Sequence, residues 1–382
     1  DGTIAKQRTD QDYVSPAGDR PKHQPLPQSN ATMPLALDAV QKDRQSTSMV
    51  QPETATQLTG PNANTKKLPV KPAKVRGIYV SGPVAASTGM MSRLIGIMER
   101  NRLNTMVIDV KTETGMLTYD SNLDTVHKLG ADRNYKIKDL RALLVQLKRH
   151  NIYTVARLAV FKDPYLANQR QDYAILSKSG EIWQDAKKIS WSDPFKPTVW
   201  AYNLEIAKEA AAAGFDEIQF DYVRFPENGK KVDEQVRFDN PNNWSKAQAI
   251  SHFLKQAQAE LHREGAFVSA DVFGLTTSTK ASDDMGIGQE WRHIAEHVDY
   301  ISPMLYPSHY SKGMYGIGNP DLRPYEVIRK AISDAKTKNA ELTKTIAKPA
   351  QIRPWFQAFT ATWVKPHRNY GWSEIELQIK AA

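Results

Sequence analysis

The spacing of hydrophobic positions changes at about residue 76, and from there two periods alternate along the chain. Apolar residues recurring at i, i+3, i+4 and i+7, as in Ile250, Phe253, Leu254, Ala257 and Leu261, predict amphipathic helices. Gly214 and Gly265 stand where helix C-caps are expected, directly before strands. Between the helices, runs with a period of two or continuous apolar character predict strands over 77–82, 105–111, 153–161, 217–223, 267–274, 299–307 and 352–359.

Strict alternation of strands and helices predicts a parallel sheet, which is either doubly wound or closed as a barrel. A doubly wound sheet usually begins with a glycine-rich phosphate turn, and the stretch GPVAAST at 82–88 has the spacing of neither phosphate-binding motif. Several strands also carry polar residues on one face near their C-terminal ends, as barrel enzymes require. We therefore predict an α/β fold of the TIM (β/α)8 barrel type.

The pattern contains seven strands rather than eight. A capping box, SEIE at 373–376, predicts a last helix with Ser373 as its N-cap, and the chain ends at Ala382 before another strand. The expectation is a barrel that lacks its eighth strand because the chain is truncated at its C-terminus.

Residues 1–74 differ in composition from the rest. They are rich in Pro, Gln, Thr, Asn and Asp, have almost no aromatic residues and show no sustained period. Such a segment buries too little apolar surface to offset the entropy lost on ordering. We predict a disordered tail or linker over 1–74 and one barrel domain over 75–382.

Composition excludes several classes of function. The 382 residues include no cysteine, so disulfides, thiolate nucleophiles and cysteine-ligated metals are impossible. The formal net charge of +9 favours anionic surfaces such as acidic cell-wall polymers, although solubility explains the same charge. No basic stripe with interleaved aromatic residues indicates nucleic-acid binding, and no apolar run approaches the ~20 residues that cross a bilayer. The chain begins at Asp1 rather than Met, for which a cleaved export signal is one explanation.

The stretch GFDEIQFDYVRFP at 214–226 points a carboxylate, Asp221, into the predicted barrel near the end of its strand. Asp271 stands near the end of the following strand, and neighbouring strand axes lie about 4.8 Å apart. Carboxyl groups about 5–6 Å apart match retaining glycosidases, and about 6.5–9.5 Å matches inverting ones. Two close carboxylates repel, so the pKa of one should be raised, as a general acid needs. The alternative is a structural Asp–Arg pair at the barrel mouth.

Further polar and aromatic side chains are expected at that mouth. Trp183 and Trp191 lie in the long loop after the third strand, where they either stack on sugar rings or anchor the loop. No second histidine stands at ligand spacing from His309, and no G-x-S-x-G elbow occurs, so neither a metal, a cofactor nor a serine nucleophile is predicted. The remaining expected substrate contacts are Asp109, Lys111, Glu113, Arg157, Gln219, Arg224, Tyr306, His309 and Gln357.

The stretches RGIYVSG at 76–82, FDYVRFP at 220–226, ISPMLYPSHY at 301–310 and RPWFQAFTATW at 353–363 carry a resemblance. Over 75–382 the chain resembles a bacterial family of TIM-barrel proteins, a domain of unknown function named for its likeness to glycoside hydrolases. The resemblance implies carbohydrate as substrate, an envelope or extracellular location and a catalytic aspartate at Asp221. In the wider amylase-like group the fifth-strand acid is usually Glu, whereas this chain has Asp271, which leaves Glu113 or Asp109 as the alternative acid.

Three hypotheses follow. The leading one is a glycoside hydrolase acting on an envelope or extracellular polysaccharide, with Asp221 as nucleophile, Asp271 as acid/base, and Arg224 and Lys111 tuning their pKa values. The second is a non-catalytic carbohydrate-binding barrel at the cell surface. The third, polysaccharide deacetylation, is disfavoured because it usually needs a metal held by His and Asp.

Overall fold

The computed structural model describes residues 66–382, and its centre is a parallel sheet of seven strands. Each strand pairs with the next one in the chain, so the order in the sheet is the order in the sequence. This confirms the predicted barrel-type topology. The strands are β1 (Gly77–Val80), β2 (Thr105–Lys111), β3 (Tyr153–Ala159), β4 (Glu217–Asp221), β5 (Phe267–Phe273), β6 (Tyr300–Leu305) and β7, which has two short parts, Gln351–Ile352 and Trp355–Phe356.

The sheet is curled and open. Arg353, between the two parts of β7, reaches across the inner face to bind Glu217 on β4, on the far side of β5 and β6. Within residues 66–382, no pairing joins β1 to β7. The seven strands predicted from the sequence therefore form a partial barrel.

The helices pack around this sheet. The predicted apolar stripe over 250–261 is confirmed, since Ile250, Phe253, Leu254, Ala257 and Leu261 are all buried. Among the residues described, no helix has both the length and the apolar character needed to cross a bilayer. The helices are α1 (Gly82–Ala85), α2 (Thr88–Arg100), α3 (Asp124–Leu129), α4 (Leu140–Arg149), α5 (Pro164–Gln169), α6 (Pro197–Ala213), α7 (Gly229–Gln235), α8 (Lys246–Arg263), α9 (Trp291–Ala295), α10 (Pro324–Leu342) and α11 (Trp372–Ala381).

Two glycines confirm predicted helix ends, and one predicted cap is wrong. Gly214 and Gly265 follow α6 and α8 with φ of 122° and 79°, backbone conformations that glycine adopts at little cost. The last helix begins at Trp372, so Ser373 lies inside it rather than at its N-cap. Glu374 instead provides an acceptor at the start of this helix, because its carboxylate accepts a hydrogen bond from the Gly371 N–H at 2.9 Å.

Residues 66–74, which composition assigned to the tail, contact the N-terminal ends of the strands. Leu68 packs against a buried group that includes Val107, Tyr153 and Phe267. The Lys71 ammonium lies 3.9 Å from the centre of the Phe267 ring. The packed region therefore begins before residue 75, and residues 1–65 of the predicted tail lie outside the described part of the chain.

Candidate active site

Three side chains from consecutive strands and one from the loop after β2 meet at the C-terminal end of the sheet, where Arg157 contacts the other three. From β3, its Nε and Nη2 donate to Asp221 Oδ2 on β4 at 2.9 and 2.6 Å. Its Nη1 donates to Asp109 Oδ1 on β2 at 2.7 Å, and Glu113 Oε2 lies 3.9 Å from the same nitrogen. Two hydrogen bonds from one guanidinium to a carboxylate fix geometry as well as charge. The structure thus brings together Asp109, Glu113, Arg157 and Asp221, as the sequence predicted.

The backbone after β4 is shaped around Asp221. Tyr222 has a φ of 48°, a left-handed conformation that is uncommon for an aromatic residue. This turn directs the Tyr222 N–H back to Asp221 Oδ1 at 2.6 Å. Both carboxylate oxygens of Asp221 therefore accept N–H donors. Such conformations persist where surrounding structure enforces them, and they cluster at functional sites.

Asp271, on β5, is in a different electrostatic environment. It is 3% exposed, and the Trp355 indole N–H donates to its Oδ1 at 2.8 Å. Burial, and then the negative charge of Asp221, raise the pKa of Asp271 well above its usual value. Asp271 therefore keeps its proton at pH values where an exposed aspartate has lost it. The two carboxyl groups interact electrostatically, and their environments differ. Asp271 favours its protonated form, whereas Asp221 forms an ion pair with Arg157.

Asp109 is a second carboxyl group with a raised pKa. Burial is the main cause, and the Arg157 charge and a hydrogen bond from the Tyr79 hydroxyl at 2.5 Å oppose it. Tyr79 was not predicted for the site, whereas strand parity had offered Trp355 with Gln357 as inward-facing without assigning it a substrate contact. Tyr79 lies in β1, two residues before the loop that follows this strand. Trp355 lies two residues before Gln357 and therefore on the same face of β7. The alternation of side chains along these two edge strands indicates that both residues face the site.

Lys111 does not face the site, contrary to the prediction. The register between β2 and β3 shifts between Asp109 and Lys111, so strict alternation fails at this point. The Lys111 ammonium lies 2.7 Å from Asp163 Oδ2 and donates to Asn203 Oδ1 at 2.9 Å. The residue is fully buried, and burial lowers its pKa. Its contacts join the sheet to the α5 and α6 region.

The two loop tryptophans are anchors rather than exposed stacking surfaces. Trp183 is 8% exposed and donates to Gln235 Oε1 at 3.0 Å. Trp191 is 2% exposed and donates to Asp185 Oδ2 at 3.0 Å. Of the two alternatives that the sequence left open, the structure supports loop anchoring.

Arg224 also does not pair with the Asp221 carboxylate. Its guanidinium stacks 5.2 Å from the Trp191 ring centre and donates to Glu227 Oε1 at 3.1 Å. The predicted ion pair with Asp221 is not among its contacts, because Arg157 occupies that carboxylate. Arg224 instead binds the loop after β4 to the loop after β3.

The remaining predicted residues lie outside the carboxyl cluster of Asp109, Glu113, Asp221 and Asp271. Gln219 is buried one strand period below Asp221 and donates to Ser302 Oγ at 3.3 Å. Gln357 is fully buried. Tyr306 and His309 are half-buried beyond the end of β6, with ring centres 5.4 Å apart. Only the last two have partly accessible side chains for a ligand.

A possible metal-ligand group is separate from these residues. Across the described part of the chain, the one group of His and carboxylate atoms close enough to share an ion is Asp120, His127 and Asp132, within 4.8 Å of one another. It lies in the connection between β2 and α4, and the His127 Nδ1 already pairs with Asp132 Oδ2 at 2.9 Å. None of the residues around Arg157 belongs to it.

One of two similar solved structures supports the fold. The PgaB (BpsB) glycoside hydrolase domain from Bordetella bronchiseptica is 15% identical over 80% of this chain and 90% of its own, with a TM-score of 0.56. A hypothetical protein from Ruminiclostridium thermocellum ATCC 27405 is 34% identical over 51% of this chain and 97% of its own, with a TM-score of 0.46. A search of the curated proteins finds no match for this chain.

The sequence comparison with family models covers most of the chain. Residues 77–382 match one model, which spans all seven strands from β1 onward and every residue of the carboxyl cluster. The fold and this match agree, and the chain belongs to the family described as "Putative glycosyl hydrolase domain".

Proposed function

We propose that this protein is a glycoside hydrolase in which Asp221 and Asp271 act on the same glycosidic bond. The observation that carries the proposal is the different environment of the two carboxyl groups. Burial and a nearby charge favour the protonated form of Asp271, as a general acid requires. Arg157 and the Tyr222 N–H hold Asp221 in one orientation at the strand end.

Each residue then has a role in bond cleavage. Asp271 donates its proton to the glycosidic oxygen while the bond to the anomeric carbon breaks. Asp221 faces the positive charge that develops on the sugar ring, as nucleophile in a retaining reaction or as base in an inverting one. Trp355 donates to Asp271 Oδ1, which leaves Oδ2 to carry the proton. Arg157 and Trp355 are positioning residues, because they act through the two carboxyl groups.

We further propose that the substrate is an envelope or extracellular polysaccharide. The family resemblance supports this class, and the formal charge of +9 favours an anionic cell-wall surface as a partner. A location outside the cytoplasm would bring the enzyme to such a polymer.

A non-catalytic carbohydrate-binding barrel is the second candidate. The ion pairs of Arg157 with Asp109 and Asp221 favour it, since a neutralised cluster also serves a purely structural role. Binding without release of new reducing ends would support this candidate.

The experiment is a screen for reducing-end release from envelope and extracellular glycans. We expect the wild-type protein to release ends from at least one glycan, and Asp221→Asn and Asp271→Asn each to lower the rate at least about a hundredfold, since each removes a group that acts on the bond. Asp124→Asn is the control, because that side chain is 88% exposed in the first turn of α3. Full activity in either active-site variant would refute the assignment of that residue.

A further inference from the structure

Four aromatic rings contact one another beyond the C-terminal ends of β6 and β7 and form a group that we call the aromatic platform: Tyr306, His309, Phe359 and Trp363. Tyr306 follows the last residue of β6, and Phe359 and Trp363 lie in the segment after β7. The ring centres of Tyr306 and Phe359 are 5.5 Å apart, and those of Phe359 and Trp363 are 6.1 Å apart with planes inclined by 23°. All four side chains are half-buried, unlike the loop tryptophans.

The topology puts the platform on the same rim as the proposed acid. Ser302 on β6 is the register partner of Asp271 on β5, and Tyr306 follows four residues later. Trp355 on β7 donates to Asp271, and Phe359 again follows four residues later. Because parallel strands end at the same edge of a sheet, both aromatic segments leave that edge next to Asp271.

A buried amide holds the two aromatic segments together. Gln357 Oε1 accepts the Ser308 N–H at 3.0 Å, and Gln357 Nε2 donates to the Phe359 carbonyl at 2.9 Å. Ser308 directly precedes His309 in the chain, and Phe359 is itself a platform residue. A fully buried glutamine with these contacts fixes the rings before any ligand arrives, which lowers the entropic cost of binding.

The chemistry of the platform fits the face of a sugar ring. Phe359 and Trp363 stack with their planes inclined by 23°, and both residues remain partly accessible. The π electrons of such rings attract the weakly positive C–H groups of a pyranose. Tyr306 and His309 add a hydroxyl group and an imidazole to the platform, with His309 Nδ1 at 3.0 Å from Ser308 Oγ. A ring with equatorial hydroxyls presents C–H groups on both faces, whereas an axial hydroxyl interrupts one face.

We propose that the aromatic platform is a binding subsite for a pyranose ring of glucose or N-acetylglucosamine configuration, next to the ring that is cleaved. This proposal rests on the proposed function, since it names the sugar class of that same site. It also replaces Trp183 and Trp191 as the source of stacking.

The experiment measures binding without turnover, by calorimetry on the full-length Asp221→Asn protein. The probes are the β-1,4-linked pentasaccharides of glucose and of N-acetylglucosamine, with the β-1,4-linked pentasaccharide of galactose as the axial-hydroxyl probe. We expect one of the first two to bind, and Phe359→Leu to raise its Kd about three- to tenfold, since leucine keeps apolar volume but has no ring face.

Two control substitutions separate stacking from folding. Phe359→Tyr keeps the ring and should leave Kd within about twofold of the parent value. Trp372→Leu removes an aromatic residue that is 74% exposed on α11 and outside the platform, so it should leave Kd unchanged. Loss of binding in Phe359→Tyr would show that the position tolerates no change, and Trp363→Phe against Trp363→Leu then repeats the comparison on the second ring.

The outcomes distinguish this proposal from the hydrolase assignment. The platform proposal is overturned if neither gluco-configured probe binds, if the leucine variants bind like the parent, or if the galactose probe binds equally well. Ring-dependent binding with no end release by the wild-type protein would refute the hydrolase and keep the subsite. If the wild-type protein releases ends and the leucine variants bind like the parent, the hydrolase assignment stands and the platform proposal is overturned.

Discussion

Asp271→Asn should change the pH dependence of the free energy of unfolding, and this change reports whether Asp271 is protonated in the folded protein. Asparagine has the shape of a protonated aspartate, and its Oδ1 still accepts the Trp355 N–H that Asp271 accepts at 2.8 Å. The substitution therefore removes a titration while keeping the contact. Fluorescence-monitored urea unfolding of wild type and variant, between pH 4 and pH 8, measures the difference in the free energy of unfolding.

The sign follows from the raised pKa of Asp271. Its pKa is higher in the folded chain than in the unfolded one, so the folded state binds the proton more tightly. Wild-type stability from this group is fully present below the unfolded pKa, about 3.9, and is lost as pH rises through the folded pKa. The loss amounts to about 1.4 kcal/mol per pH unit between the two values. Asp271→Asn lacks this pH dependence. The free energy of unfolding of the variant should therefore rise relative to that of the wild type by about 1.4 kcal/mol per pH unit in this range.

Asp221→Asn is the matched control, with the opposite expected sign. This substitution removes the negative partner from two Arg157 hydrogen bonds of 2.9 and 2.6 Å, so we expect a loss of about 1–3 kcal/mol near pH 7. Titrating groups that do not interact with Asp271 are common to wild type and variant, and they cancel in the difference. A difference for Asp271→Asn that stays flat from pH 4 to pH 8 would refute the proton-holding role.

Further predictions concern Trp355, Lys111 and Glu217. Trp355→Phe removes an N–H donor that lowers the pKa of Asp271, so the alkaline limb of kcat/KM should move to higher pH; an unmoved limb would contradict the positioning role. Lys111→Met leaves Asp163 buried without its counter-ion and should cost about 3–5 kcal/mol in urea unfolding, most of which the double variant with Asp163→Asn should restore. Glu217→Gln weakens the buried pair with Arg353 at the opposite end of β4, so thermal unfolding should shift down while kcat per folded molecule stays unchanged; a fall in kcat would place Glu217 in the chemistry.

The carboxyl cluster was predictable because strand geometry is local. A period of two places alternate side chains on one face, and neighbouring parallel strands end at a common edge. Those two rules were sufficient to bring Asp109, Arg157 and Asp221 to one place, where hydrogen bonds now join them. The rules also located Asp271, whose pKa is raised by burial and by the Asp221 charge.

The partners of each side chain depended on the three-dimensional packing. A register shift in β2 turned Lys111 toward Asp163, and a one-residue irregularity leaves no trace in a hydrophobic period. Arg157 rather than Arg224 neutralises Asp221, because the loop after β4 stacks Arg224 on Trp191. The sequence by itself determined which strands form and which faces they share, since both follow from short-range geometry. The tertiary structure alone decided which charges pair and which aromatic rings are buried, since both depend on contacts between segments far apart in the chain.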